Sequence, residues 1–164
     1  MKLLDGKVCL VTGGTQGVGA GAARAAAREG AIAVTGRRSD VGERLAASLR
    51  VTGADAMFVQ ADVADVAQAQ NAVAAVIDTH GRIDCLVNSA GLTARGTLLD
   101  TTPELFDAHI AVNLRGPFFT MQAVVRDISP GRRPAPSSTS SPRPNTADSR
   151  TSPRTSRPRP GWPA

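Results

Sequence analysis

The sequence predicts an α/β protein built on a doubly wound parallel sheet, and three observations carry that prediction. Short apolar runs alternate with helix-patterned segments through residues 1–127. The runs are continuously apolar rather than alternating in and out, as expected of strands covered on both faces. A glycine-rich loop joins the first run to the first helical segment, the place where such sheets carry their first βα turn.

Residues 7–12 (KVCLVT) form the first strand candidate, followed by an Ala-rich helix over 17–29 that Gly30 stops. Residues 31–35 (AIAVT) are a second buried strand, and 40–50 a second helix with Val41, Leu45 and Leu49 four apart. Residues 56–60 (AMFVQ) read as a third strand and 66–80 as a third helix, with Val73, Val76 and Ile77 on one face. Residues 83–87 (IDCLV) are a fourth strand. Residues 103–127 are a long helical segment interrupted near Gly116-Pro117. Cys9 and Cys85 each lie within an apolar run and read as buried free thiols rather than a disulfide or reactive pair.

Composition divides the chain at about residue 127. Residues 1–127 hold 12 basic and 13 acidic side chains, whereas 128–164 hold 7 basic and one acidic, so the net charge of +5 belongs to the tail. Nine of the 11 prolines also follow residue 127. The high isoelectric point is therefore no sign of a basic nucleic-acid face on the fold. The tail cannot bury enough apolar surface to offset chain entropy, and disorder is expected there. No apolar run reaches the ~18 residues of a membrane span, and no secretory leader is visible, so a cytoplasmic protein is expected.

Residues 12–19 read T-G-G-T-Q-G-V-G, after a strand and opening a helix. Gly13 suits a tight turn, Gly17 a close approach of backbone to a pyrophosphate, and Gly19 close helix–strand packing. The helix N-terminus would offer N–H groups and partial positive charge to the phosphates. The alternative is a glycine turn that binds nothing.

The spacing G-x-x-x-G-x-G resembles that of the short-chain dehydrogenase/reductase family. The resemblance extends over residues 5–127 and includes A-D-V at 61–63, N-S-A-G at 88–91 and V-N-L at 112–114, in the family's order. It implies a Rossmann-like fold, here with about four strands in the order 3-2-1-4. It also implies hydride transfer between a nicotinamide cofactor, NAD(P)(H), and a carbonyl/alcohol substrate whose identity is not readable. Gly13, Thr15, Gln16, Gly17, Val18 and Gly19 would form the cofactor loop. Strand two ends without a carboxylate and is followed by Arg37 and Arg38, suited to a 2′-phosphate, so NADP(H) is expected over NAD(H). A solvated basic turn is the alternative. By resemblance Asp62 accepts from the adenine amino group with Val63 beside the ring; Asp62 could instead cap the next helix. Asn88, Ala90 and Gly91 would lie against the cofactor ribose, with Ser89 where the family usually has a second Asn. Asn113 would be a catalytic residue that anchors a water in the proton relay. Otherwise it is a buried Asn bonded to a neighbouring turn.

The family also requires a Ser, and a Tyr and Lys in Y-x-x-x-K. This sequence has no tyrosine, and its lysines are Lys2 and Lys7. The tail is compatible with an out-of-frame reading of that missing segment. A hidden codon can be built from the last base of one printed codon and the first two of the next. Position 163 must then encode alanine, and position 146 histidine or tyrosine. Positions 155 and 159 can encode tyrosine and lysine, and position 142 serine. The slip would fall near Ile128. The expectation is an incomplete dinucleotide-binding domain over 1–127 and a frame-shifted tail over 128–164, with impaired catalysis. The alternative is a non-catalytic dinucleotide-binding module with a basic disordered arm. Homo-oligomers form in the family through the long helix and the one after the Tyr; with the second lacking here, that assembly is in doubt.

Overall fold

The computed structural model describes residues 3–128. The expectations for the tail concern, apart from Ile128, residues outside that range. Among the described residues four strands form one parallel sheet in the order β3-β2-β1-β4: β1 Val8–Thr12, β2 Ala31–Gly36, β3 Ala56–Gln60 and β4 Cys85–Asn88. Helices α1 Gly17–Ala27, α2 Ser39–Val51 and α3 Val66–His80 alternate with them, and α4 Pro103–Ile110 and α5 Gly116–Ile128 follow β4. The predicted strand order and β-α alternation are both present.

Successive side chains of β1 point to opposite faces, and the core follows that alternation. Cys9 and Val11 pack with Ile32 and Val34 against Ala20, Ala23 and Ala27 of α1 and Leu45 and Leu49 of α2. Val8 and Leu10 pack with Ala33 against Val73 and Val76 of α3 and Val124 of α5. Central β1 is buried along its whole length, whereas β4 is half-buried, as an edge strand is. Asp84, just before β4, accepts from the Val8 N–H at 2.9 Å and from Arg82 Nε at 2.7 Å, tying the starts of β4 and β1 together. Its carboxyl is held below the ordinary range, chiefly by the Arg82 bond.

The long helical segment departs from expectation. Its irregularity begins before Gly116-Pro117: residues Ala111–Arg115 make a wide π-helical turn between α4 and α5. Pro117 lacks the N–H that an α-helix would direct to the carbonyl of Asn113, so the ladder must be rearranged just upstream of it. Gly116 is needed for a separate reason, since a Cβ there would lie 2.4 Å from the Val63 carbonyl oxygen. The outer face of this segment exposes Phe106, Ile110, Leu114, Phe118, Met121, Val125 and Ile128. Among the described residues no helix is long and apolar enough to cross a membrane.

The cysteines are free thiols, as expected from sequence, with Cys9 buried and Cys85 half-buried. They are not independent: Cys9 and Cys85 are direct register partners on β1 and β4. Pairing across 76 residues is set by sheet register, which neither apolar run encodes by itself.

Candidate functional site

The strand ends converge on one cleft of about 1170 Å³ at the carboxyl edge of the sheet. Open α/β sheets bind ligands on that side. Gly13, Thr15, Gln16, Gly17, Val18 and Gly19 form one wall, and Arg37, Arg38, Asp62 and Val63 line the cleft beyond β2 and β3. Ala90 and Gly91 line it after β4. Twelve of the fourteen residues singled out from sequence therefore meet in one place, separated by up to 78 positions in the chain.

Sterics explain the loop's composition. Gly13 has φ +64°, and a Cβ on it would lie 2.5 Å from Ala90 Cα, so the β1 and β4 loops touch there backbone to backbone. Gly17 has φ +54° with open space around the position of a Cβ, which leaves the loop surface clear. Gly19 fits more tightly than expected, and against a different neighbour. Its Cβ would meet the Gly13 carbonyl oxygen at 2.5 Å, so it packs on the loop rather than on the strand. The Gly14 N–H donates to the Thr35 carbonyl at 3.2 Å, fixing the loop to β2.

The N-terminus of α1 is electrostatically open. Its N-cap, Gln16, makes no side-chain capping bond, and no acidic residue occupies the first turn. The first-turn N–H groups and the positive end of the dipole thus face the cleft without an internal anion. Gln16 instead accepts from the Arg38 guanidinium, which brings Arg38 from the end of β2 to the glycine loop. The Arg37 carbonyl accepts from Gln60 Nε2 at 3.0 Å, tying that turn to β3.

Asp62 does not cap α3. Asp65 does so, accepting from the Ala67 and Gln68 N–H groups at 2.9 and 3.2 Å. Asp62 closes a local turn by accepting from the Ala64 N–H at 3.0 Å through Oδ1. Gln68 accepts from the Asp62 N–H at 3.0 Å. Val63, 7% exposed, is pinned under Gly116 of α5.

Asn88 and Asn113 stand apart from the cleft lining. Asn88 Oδ1 accepts from Thr12 Oγ1 at 3.3 Å, and the Ser89 N–H donates to the Thr12 carbonyl at 3.2 Å, so together they clamp the ends of β4 and β1. Asn113 is exposed rather than buried. It lies in the π-helical turn, and its amide spans the Leu92 peptide groups: Oδ1 accepts from the Leu92 N–H at 2.8 Å, and Nδ2 donates to the Leu92 carbonyl at 2.9 Å. Those two bonds compensate for its poor helix propensity. They hold the backbone just past Gly91 in place.

Ala61 and Val112, from the A-D-V and V-N-L motifs, also line the cleft, as do Gly36, Ala64 and Ala111, which the sequence reading did not assign to it. Gly36 was readable only as a strand end. A Cβ on it would lie 2.7 Å from Thr15 Cγ2, a contact that exists only once β2 has paired with β1. His109 does not face a metal: its Nδ1 and Nε2 lie 2.8 and 3.0 Å from the Leu105 and Ala94 carbonyls, joining α4 to the preceding loop. Among the described residues no cluster of His, Cys, Asp or Glu could hold a metal ion.

Comparison with known proteins agrees with this geometry. The family model for short chain dehydrogenase matches residues 7–135. Oxidoreductase UcpA of Salmonella typhimurium is 43% identical over 128 residues, covering 78% of this chain and 49% of that protein. L-rhamnose 1-dehydrogenase (NAD(P)(+)) of Azotobacter vinelandii is 40% identical, covering 77% of this chain and 51% of that protein. A short chain dehydrogenase from Burkholderia cenocepacia, solved in complex with NADP, superposes with a TM-score of 0.73 at 37% identity. It covers 75% of this chain and 51% of its own. The chain thus spans about half the length of the curated relatives it matches. With its glycine loop, strand order and matched motifs in one register, the chain belongs to the short-chain dehydrogenase/reductase family.

Proposed function

We propose that residues 1–127 are the dinucleotide-holding half of an oxidoreductase that prefers NADP(H) over NAD(H). The observation that carries this is the meeting of an uncapped α1 N-terminus with the Arg38 side chain across the glycine loop. The α1 N–H groups would take the pyrophosphate and Arg37 and Arg38 the 2′-phosphate. Asp62 has one carboxylate oxygen outside its own turn with which to meet the adenine amino group. When bound, the dinucleotide supplies hydride at its nicotinamide to a carbonyl substrate, or accepts it from an alcohol.

The chain's own part in that reaction is binding and alignment. Asn113 acts in this reading as a positioning residue, because both ends of its amide are committed to Leu92. The family's tyrosine acid/base has no counterpart among these 164 residues, so the chain as written is proposed to bind cofactor without turning over substrate. On the same reading the protein is cytoplasmic and does not engage nucleic acid, and the segment after residue 127 is a frame-slipped remnant. Coding DNA whose upstream frame closes within a few codons of 128 would refute the slip.

The direct test of cofactor choice is calorimetric titration of NADPH and NADH into the wild type and Arg38→Asp. The variant should lose NADPH affinity by about tenfold or more, one lost charge-assisted contact being worth that much, while NADH affinity holds or rises. Equal NADPH binding by both proteins would refute the phosphate role.

A further inference from the structure

We propose that Cys9 and Cys85 form a reversible cross-strand disulfide when the protein meets a peroxide, a modification that locks edge strand β4 onto β1. The two residues are register partners on adjacent parallel strands. Neighbouring strands run about 4.8 Å apart, inside the roughly 4.4–6.8 Å Cα separation a disulfide requires. Both side chains lie on the α1-facing side of the sheet, in the cluster that includes Val11 and Ala23. The strands therefore already stand at a Cα separation that a disulfide can bridge.

The two sulfurs differ in a way that sets the order of events. Cys9 is 2% exposed. Burial, with Cys85 alongside, pushes its thiol up to about 12, so it stays protonated at neutral pH. Cys85, half-buried on the edge strand, is the sulfur that peroxide reaches. The Cys85 sulfur attacks one peroxide oxygen; an S–O bond forms, the O–O bond breaks, and the departing hydroxide leaves as water with the proton that Cys85 gives up. The Cys9 sulfur then attacks the Cys85 sulfur. The S–S bond forms, the S–O bond breaks, and the Cys9 proton leaves with the hydroxide as a second water. Two thiols lose two electrons in total, and one peroxide becomes two waters.

The position gives the bond a structural effect. β1 and β4 end in the Gly13 and Ala90 loops, which touch across the cleft. Among the described residues β4 pairs with β1 alone. A crosslink between them closes a long loop of chain and fastens an edge strand to the centre of the sheet.

The test is treatment of the full chain with hydrogen peroxide, followed by intact mass and non-reducing peptide mapping. The expected product is two hydrogens lighter, links tryptic peptides 8–24 and 83–95, and reverts with dithiothreitol. Its melting temperature should rise by roughly 5–10 °C, and the rise should be absent in Cys85→Ser. Oxygen added separately to either cysteine, a disulfide between two copies, or two thiols still open to alkylation would each overturn the proposal. Because the mass readout needs no cofactor, its failure would leave the dinucleotide reading standing.

Discussion

Helices α1 and α3 begin in comparable places, each just past the carboxyl end of a strand, yet their first turns are treated oppositely. Asp65 closes the N-terminus of α3 with two hydrogen bonds, and Gly81 closes its other end in a left-handed conformation. Gln16 leaves α1 without a side-chain cap. One helix satisfies its own end groups and gains stability locally. The other leaves them facing a cleft, and the glycines around it keep side chains out of the way. An end group left open inside a well-packed fold marks where a ligand's charge belongs.

Three changes would break or sharpen that contrast. The largest effect is expected from Gly13→Ala, which forces a Cβ to 2.5 Å from the Ala90 backbone at a positive φ. It should cost about 3 kcal/mol of stability, read as a drop in the urea midpoint, and abolish dinucleotide binding. Next is Gln16→Asp, which gives α1 the kind of cap that α3 has. Stability should rise by about 0.5–1 kcal/mol, while dinucleotide affinity falls at least tenfold in the same titration. A variant gaining both would show that the α1 terminus is not the phosphate site.

The smallest effect is expected from Asp65→Asn. The Asp65 carboxyl is held below its ordinary value, chiefly by the backbone hydrogen bond from Gln68. A group depressed in the folded state contributes stability above its unfolded value of about 3.9 and loses it as pH falls through the lower folded value. Urea midpoints of wild type and variant should differ slightly at pH 7 and converge below about pH 4. Cofactor affinity should not change.

What the sequence revealed and what it hid divide along the same physical line. The glycine loop and the Arg37-Arg38 turn were readable because each depends on residues close together in the chain, whereas the strand order came from the family resemblance. Of the fourteen residues expected at the site, twelve line one cleft because parallel topology brings the strand ends to the same edge. Contacts between distant segments were not readable. Gly36 against Thr15, Asn113 against Leu92 and Cys9 against Cys85 depend on register and on where α5 crosses Val63. The long helix shows the limit well: Pro117 announced an interruption, but not that the ladder would yield upstream of it and carry Asn113 to a loop 21 residues earlier.

The wide turn at Ala111–Arg115 also does angular work. Phe106, Ile110, Leu114 and Phe118 are spaced four apart and all exposed. In an unbroken α-helix each step of four overshoots a full turn by about 40°, so such a row would wind steadily around the axis. A turn whose hydrogen bonds close one residue later absorbs part of that overshoot. The row stays nearer to a straight line, and Asn113 keeps its bearing on Leu92.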